Sequence, residues 1–269
     1  MVYRWLTGRG SVGTTTVSPY VTTRVYGWKP DTYDPRDKIH CFVIATNDIP
    51  ETVDLRSKCP LVYDQKNCGS CTANAIAGAI QFDEILENLP NQTAPSRLFI
   101  YYNERVARGT TDTDSGATIR DSVNAVAKDG YCSESMWPYE VAKFAEKPSS
   151  ACYVAAENHK AIVYMRVAQT AEQIRSALAL GYPVVFGIMV YQSFEKPEIT
   201  RTGIISMPTA KETILGGHAI VAVGYNKNYV IFRNSWGAEW GDAGYGYLPW
   251  EYIMNPKLAS DFWTVRRVS

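Results

Sequence analysis

Gln65-Lys66-Asn67-Cys68-Gly69-Ser70-Cys71-Thr72-Ala73-Asn74-Ala75 is where the chain changes character. Upstream the residues are turn-forming or extended. Downstream, Ala75, Ile76, Ala79, Ile80, Phe82, Ile85 and Leu86 recur at three- and four-residue spacing, which predicts a helix over residues 71–87. Cys71 falls on the first turn of that helix. The unpaired backbone N–H groups and the dipole of a helix N-terminus stabilise a thiolate there. Taken alone, the segment leaves other readings open: a buried structural cysteine, a Cys68-x-x-Cys71 redox pair, or half of a zinc site. Zinc would need a second pair of ligands, yet Cys41, Cys59, Cys132 and Cys152 are isolated and the histidines are only His40, His159 and His218. A thioredoxin-like site would need a preceding strand in an alternating β/α pattern, which the sequence lacks.

Working outward, residues 97–106, 119–128 and 171–180 carry shorter helical patterns, the last two followed by Gly130 and Gly181. From residue 182 the texture turns to strands, at 184–188, 218–225, 229–232, 245–248 and 262–265. There is no internal repeat. Helices precede strands without βαβ alternation, so the expected class is α+β with two lobes.

Gly216-Gly217-His218-Ala219-Ile220-Val221-Ala222-Val223-Gly224-Tyr225 and Tyr229-Val230-Ile231-Phe232-Arg233-Asn234-Ser235-Trp236-Gly237 read as a hairpin closed by Asn226-Lys227-Asn228. If Tyr225 faces Tyr229, then His218 faces Trp236. Asn234 becomes its diagonal neighbour on the same face, at about 5.5–8 Å. A register slip of one residue would send His218 and Asn234 to opposite faces. His218 alone reads as a satisfied core histidine. Jointly, however, the segments supply a nucleophile (Cys71), a base (His218) and an orienting amide (Asn234). Gln65 and the backbone N–H of Cys71 would be the two donors to an oxyanion.

These pieces resemble the papain-like, cathepsin-type cysteine proteases. The resemblance rests on Gln65, Cys68-Gly69-Ser70-Cys71, Trp137-Pro138-Tyr139, Gly217-His218-Ala219, Asn234-Ser235-Trp236-Gly237 and Trp240-Gly241-Asp242-Ala243-Gly244-Tyr245-Gly246, and spans roughly residue 53 to the C-terminus. It implies a helical lobe and a β-barrel-like lobe with a cleft between them, and peptide-bond hydrolysis through a thioester acyl-enzyme. The substrate would be a peptide or protein, cut as by an endopeptidase, with no cofactor and no metal. It further implies that Gly116, Gly217 and Trp236 line the cleft, with Ser260 and Asp261 at the floor of a specificity pocket. Rival readings are an acyl transferase or deamidase using the same site, and a silent relative that binds peptides.

The departures are specific. Thr72 stands where the family usually has Trp, which loosens one wall of the cleft. Asp114-Ser115-Gly116-Ala117 replaces the family's Cys-Asn-Gly-Gly, so Cys68 loses its usual partner and Cys132 becomes the candidate for a disulfide with it. The catalytic domain is expected over 54–269 and an extended arm over 1–53, without the helical prosegment typical of the family. Laid along the cleft, such an arm would inhibit as a strand-like mimic of substrate. Tyr26, Trp28 and Tyr33 would be its anchors, and its prolines would protect it from cleavage. The competing reading is a structural brace.

Composition narrows the class. The 269 residues are 46% apolar and 12% aromatic, which argues against disorder. The 27 Lys+Arg balance 27 Asp+Glu, unlike a protein that grips nucleic acid through phosphates. The longest strongly apolar run, 182–191, is too short to span a bilayer, so no membrane partner is expected. Thr7-Gly8-Arg9-Gly10 interrupts the apolar start, so no signal peptide is visible. The expectation is a cytoplasmic protein, or one exported by a non-standard route. Asn91-Gln92-Thr93 is a glycosylation acceptor pattern with meaning only outside the cell.

Overall fold

The computed structural model describes residues 24–88, 93–160 and 162–267. Trp5, Tyr20 and the Asn91-Gln92 pair lie outside them. In chain order the elements are β1 (Ile39–His40), β2 (Val53–Asp54), α1 (Cys71–Leu86), α2 (Arg97–Val106), α3 (Ile119–Asp129), α4 (Ser150–Ala156), β3 (Ile162–Val167), α5 (Ala171–Ala179), β4 (Val184–Tyr191), α6 (Pro197–Thr202), β5 (Ile214–Tyr225), β6 (Tyr229–Arg233), β7 (Tyr245–Pro249), α7 (Trp250–Met254) and β8 (Ala259–Arg267).

The long helices form where the spacing places them. In α1, 13 of the 16 residues are buried, so the helix runs through the interior with little face to solvent. The N-terminus of α3 is closed by a capping box between Thr118 and Asp121, and its C-terminus by Gly130 at φ 72°. Helices α4, α6 and α7 have seven, six and five residues, too few for a period to register in the sequence.

The strands pair in the order β1-β3-β8-β4-β5-β6-β7, with β2 added along β5. All pairs are antiparallel except β1 with β3. β1 and β7 are the two edges, so the barrel-like lobe is an open sheet and not a closed barrel. One apolar cluster joins α1 to β5 and β8 through Ile76, Ile80, Val221, Val223, Trp263 and Val265. A second fills the far side of the sheet with Leu178, Phe186, Phe232, Trp240 and Phe262. Packing α1 against β5 sets Cys71 against the backbone N–H of Ala219, the residue after His218, across the junction of the lobes. Among the described residues no helix is long and apolar enough to cross a membrane.

Candidate active site

The hairpin reaches the required register by an indirect route. At its turn Tyr225 pairs with Val230, one residue away from the expected Tyr229. Continued unchanged, that register would put Asn234 on the face opposite His218. A bulge at Val223 absorbs one residue, and Val221 pairs with Arg233 beyond it. The face is thereby restored. The Oδ1 of Asn234 lies 2.8 Å from Nε2 of His218.

That contact also assigns the histidine tautomer. The Ser235 backbone N–H donates to the same Asn234 Oδ1 at 2.8 Å, which fixes this atom as the amide oxygen. Nε2 of His218 must then carry the hydrogen. Nδ1 is left as the unprotonated nitrogen, and it is buried with no hydrogen-bond partner among the described residues. The Trp236 indole stacks on the imidazole, with centroids 4.7 Å apart and planes 22° apart, covering the His218–Asn234 bond.

Gln65 is held at several points. Its N–H donates to the Ser235 carbonyl at 2.8 Å, and its Oε1 accepts from the Ser235 hydroxyl at 2.6 Å. Its own carbonyl accepts from the Tyr139 hydroxyl at 2.9 Å, and that hydroxyl also meets Ser70 Oγ at 2.6 Å. The aromatic-Pro-Tyr element thus braces both ends of the loop that leads to the nucleophile. Nε2 of Gln65 is left pointing at the Cys68 carbonyl (2.9 Å) and the Val25 carbonyl (3.2 Å).

Val25 belongs to a segment that lies in the cleft. The Trp28 N–H donates to the Gly217 carbonyl and the Lys29 N–H to the Ala117 carbonyl, each at 3.0 Å, and the Ala117 N–H donates to the Gly27 carbonyl at 2.9 Å. Residues 27–29 therefore bridge the helical lobe and the sheet lobe. The approach is close enough to exclude side chains. A Cβ on Gly27 would lie 1.7 Å from the Gly69 carbonyl oxygen, and one on Gly116 would lie 1.9 Å from that of Gly27. Tyr26 packs edge-on to both His218 and Trp236, while Arg24 covers the Trp236 ring at 4.3 Å and pairs with Glu195 at 2.5 Å. Further along, Asp31 and Asp37 are held by Arg166 at 2.9 and 2.6 Å, and Asp37 by Arg120 at 2.6 Å.

Under this cover Cys71 and His218 are both fully buried. Burial pushes the Cys71 thiol up to about 11, against the N–H groups of Ala219, Gly27 and Thr72 that favour the thiolate. Burial likewise brings the His218 imidazole down to about 4, opposed by its bond to Asn234. With the segment in place the two groups are a neutral thiol and a neutral imidazole.

Of the cleft residues expected from the sequence, Gly116, Gly217 and Trp236 all contact this segment. Ser260 pairs with Gly187 across β4 and β8, at the cavity that holds Trp28. Asp261 also meets the arm: its carboxylate accepts from the Asp31 N–H at 2.7 Å and pairs with Arg166 at 3.3 Å. Two expectations are corrected. Tyr33 is 90% exposed and anchors nothing. All six cysteines are free thiols; Cys132 faces Cys152, and Cys68 lies 3.7 Å from Asp114.

Asp114, noted in the sequence only as standing where the family has a cysteine, takes a holding role of its own. Both its carboxylate oxygens accept from the Gly69 N–H at 3.0 Å, which ties down the loop before the nucleophile. Thr72 does not form a cleft wall either. It is buried, and its hydroxyl donates inward to Glu104 at 2.8 Å.

Comparison with known proteins gives the family. The sequence pattern of papain family cysteine proteases matches residues 49–252. An uncharacterized peptidase C1-like protein of Acanthamoeba polyphaga mimivirus is 41% identical over 265 residues, covering 90% of this chain and 85% of that one. The crystal structure of xylellain, a cysteine protease from Xylella fastidiosa, is similar at a TM-score of 0.86 and 40% identity, covering 94% of this chain and 100% of that one. The chain belongs to the papain family of cysteine proteases. Digestive cysteine proteinase 3 of Homarus americanus is a more distant relative, 30% identical over 82% of this chain and 68% of its own length. As a papain-family peptidase the protein is a hydrolase of peptide or protein substrates, and its two-lobed α+β architecture is that of the family.

Proposed function

We propose that the protein is a cysteine endopeptidase acting through Cys71, His218, Asn234 and Gln65, and that residues 24–31 of its own N-terminal arm keep it latent. Nδ1 of His218 takes the Cys71 proton, and the thiolate adds to the substrate carbonyl carbon. Gln65 Nε2 and the Cys71 N–H receive the oxyanion. The imidazolium returns its proton to the leaving amine, water hydrolyses the thioester, and Asn234 holds the ring throughout. The observation that carries the latency is the Val25 carbonyl on Gln65 Nε2, at 3.2 Å, in the place of a substrate carbonyl. The Cys71 thiol itself meets the Gly27 N–H, a donor, under the same segment. Release of the arm readmits water, which lowers the desolvation penalty on both groups and allows the thiolate–imidazolium pair.

The test is hydrolysis of fluorogenic peptides by the full-length protein and by Gly27→Ala, whose new Cβ collides with the Gly69 carbonyl. A gain in kcat/KM in the folded variant supports latency, and equal values refute it. Loss of all turnover in Cys71→Ala supports the nucleophile, and retained turnover refutes it.

A further inference from the structure

Two loops of the helical lobe press on the arm, and a path of hydrogen bonds joins them. Gly69 lies in the loop before α1, and Gly116 in the loop between α2 and α3. The Gly69 N–H donates to both oxygens of Asp114 at 3.0 Å. The Tyr101 hydroxyl donates to Asp114 Oδ1, and the Gly116 N–H donates to that hydroxyl at 3.1 Å. Each link has one direction. Burial and the Asp114 carboxylate hold the Tyr101 hydroxyl far above the usual tyrosine range, so it keeps its proton. The path is itself anchored. Tyr101 is fully buried in α2, and the Arg105 guanidinium stacks on its ring at 3.9 Å. Arg105 also donates to the carbonyls of Tyr101, Thr111 and Thr113 at 2.9, 3.0 and 2.6 Å, which fixes the loop that presents Asp114. What the path holds is working backbone. Gly69 stands between Cys68, whose carbonyl accepts from Gln65 Nε2, and Cys71, the first residue of α1. Gly116 precedes Ala117, whose N–H and carbonyl both bind the main chain lying in the cleft. A shift of Gly69 against Gly116 would move the oxyanion donors relative to the backbone that aligns a bound chain.

We propose that Asp114 and Tyr101 are positioning residues of the peptidase, bridging the two loops so that the oxyanion donors stay in line with the main chain of a bound substrate. The proposal rests on the peptidase reading and adds to it two residues outside the set of Cys71, His218, Asn234 and Gln65. Because the two act in series along one path, breaking either link breaks the bridge, and breaking the second costs nothing more.

The experiment uses full-length Trp28→Ala as parent, in which the arm loses its inserted indole, and adds Tyr101→Phe, Asp114→Ala and the two together. Hydrolysis of a fluorogenic peptide gives kcat and KM, and iodoacetamide alkylation of Cys71, mapped by mass, gives the reactivity of the thiol. Tyr101→Phe removes one hydroxyl and keeps the ring, so kcat should fall roughly tenfold with KM within about twofold of the parent. Alkylation forms no oxyanion, so its rate at Cys71 should stay at the parent value in Tyr101→Phe. The double variant should lose no more than the weaker of the two single variants. If Asp114→Ala fails to fold, Asp114→Asn takes its place in the cycle. If that fails too, the kcat, KM and alkylation rate of Tyr101→Phe decide. An unchanged kcat in Tyr101→Phe overturns the bridge alone. So do losses that multiply in the double variant, or an alkylation rate that falls in step with kcat, which would mark general loosening of the fold. If neither Trp28→Ala nor Gly27→Ala cleaves any peptide, the peptidase reading falls and the bridge falls with it.

Discussion

Two stretches of chain touch the imidazole of His218, and they are held by different kinds of force. The β5–β6 hairpin is built into the sheet: β5 pairs with β4 and β6, and its residues from Gly217 to Tyr225 are buried. Moving it would break ladder bonds and open the apolar core on both sides. The arm, over residues 24–29, has three main-chain bonds to the lobes, one inserted indole and the Arg24–Glu195 ion pair. Its contacts are close but few, and they fall on glycine. The difference teaches how one molecule can keep a rigid reaction geometry and still switch it off. The hairpin sets the relative positions of base and orienting amide; the arm decides whether water and substrate reach them.

Substitutions separate the two. Cys71→Ala removes the nucleophile whatever the arm does. It should lower peptide hydrolysis by roughly 10⁴-fold or more with an unchanged circular dichroism spectrum. Gln65→Ala deletes one oxyanion donor and should lower kcat by about 10²–10³-fold. A rise in KM with kcat unchanged would show that Gln65 acts in binding alone. Gly27→Ala acts on the arm only and should move activity the other way, raising kcat/KM by about tenfold or more, in keeping with a Cβ forced to 1.7 Å from a carbonyl oxygen.

The smallest effect concerns the framework beneath Cys71. Burial raises the Glu104 carboxyl from 4.5 to about 8, while the Thr72 and Ser122 hydroxyls donate to it. Because its pKa in the fold lies above its unfolded value, the contribution of Glu104 to stability is complete below about 4.5 and is lost as pH rises through about 8. Glu104→Gln, uncharged and of the same shape, should flatten the decline in Tm over that window. An unaltered Tm–pH curve would show that Glu104 is not the group responsible.

Much of the framework was legible because periodicity and residue chemistry are local. Cys71 at a helix start, and His218 and Asn234 on facing strands, could be read from spacing and residue type. The register was read correctly at His218 but not at the turn, since nothing in Val223 announces a bulge that cancels a one-residue shift. The arm was legible only as aromatic-rich and extended. Trp28 and Tyr26 do dock, whereas Tyr33, of similar character, points into solvent. Which aromatic finds a slot depends on Gly187, more than 150 residues away in sequence, and no local pattern links the two. Asp114 was marked as a departure from the family's cysteine, but nothing local said that its carboxylate would hold the Gly69 loop.

Labelling of Cys71 in the intact protein tests the covered site most directly. Full-length wild type and Gly27→Ala are treated with an epoxide-type thiol trap and the modified cysteine is mapped by mass, with iodoacetamide labelling of the exposed Cys41 as the control for equal handling. The expected result is modification at Cys71 in both proteins, about tenfold or more faster in Gly27→Ala, with Cys41 unchanged. Equal rates at Cys71, or a label that maps to another cysteine, would contradict an arm-covered Cys71 nucleophile.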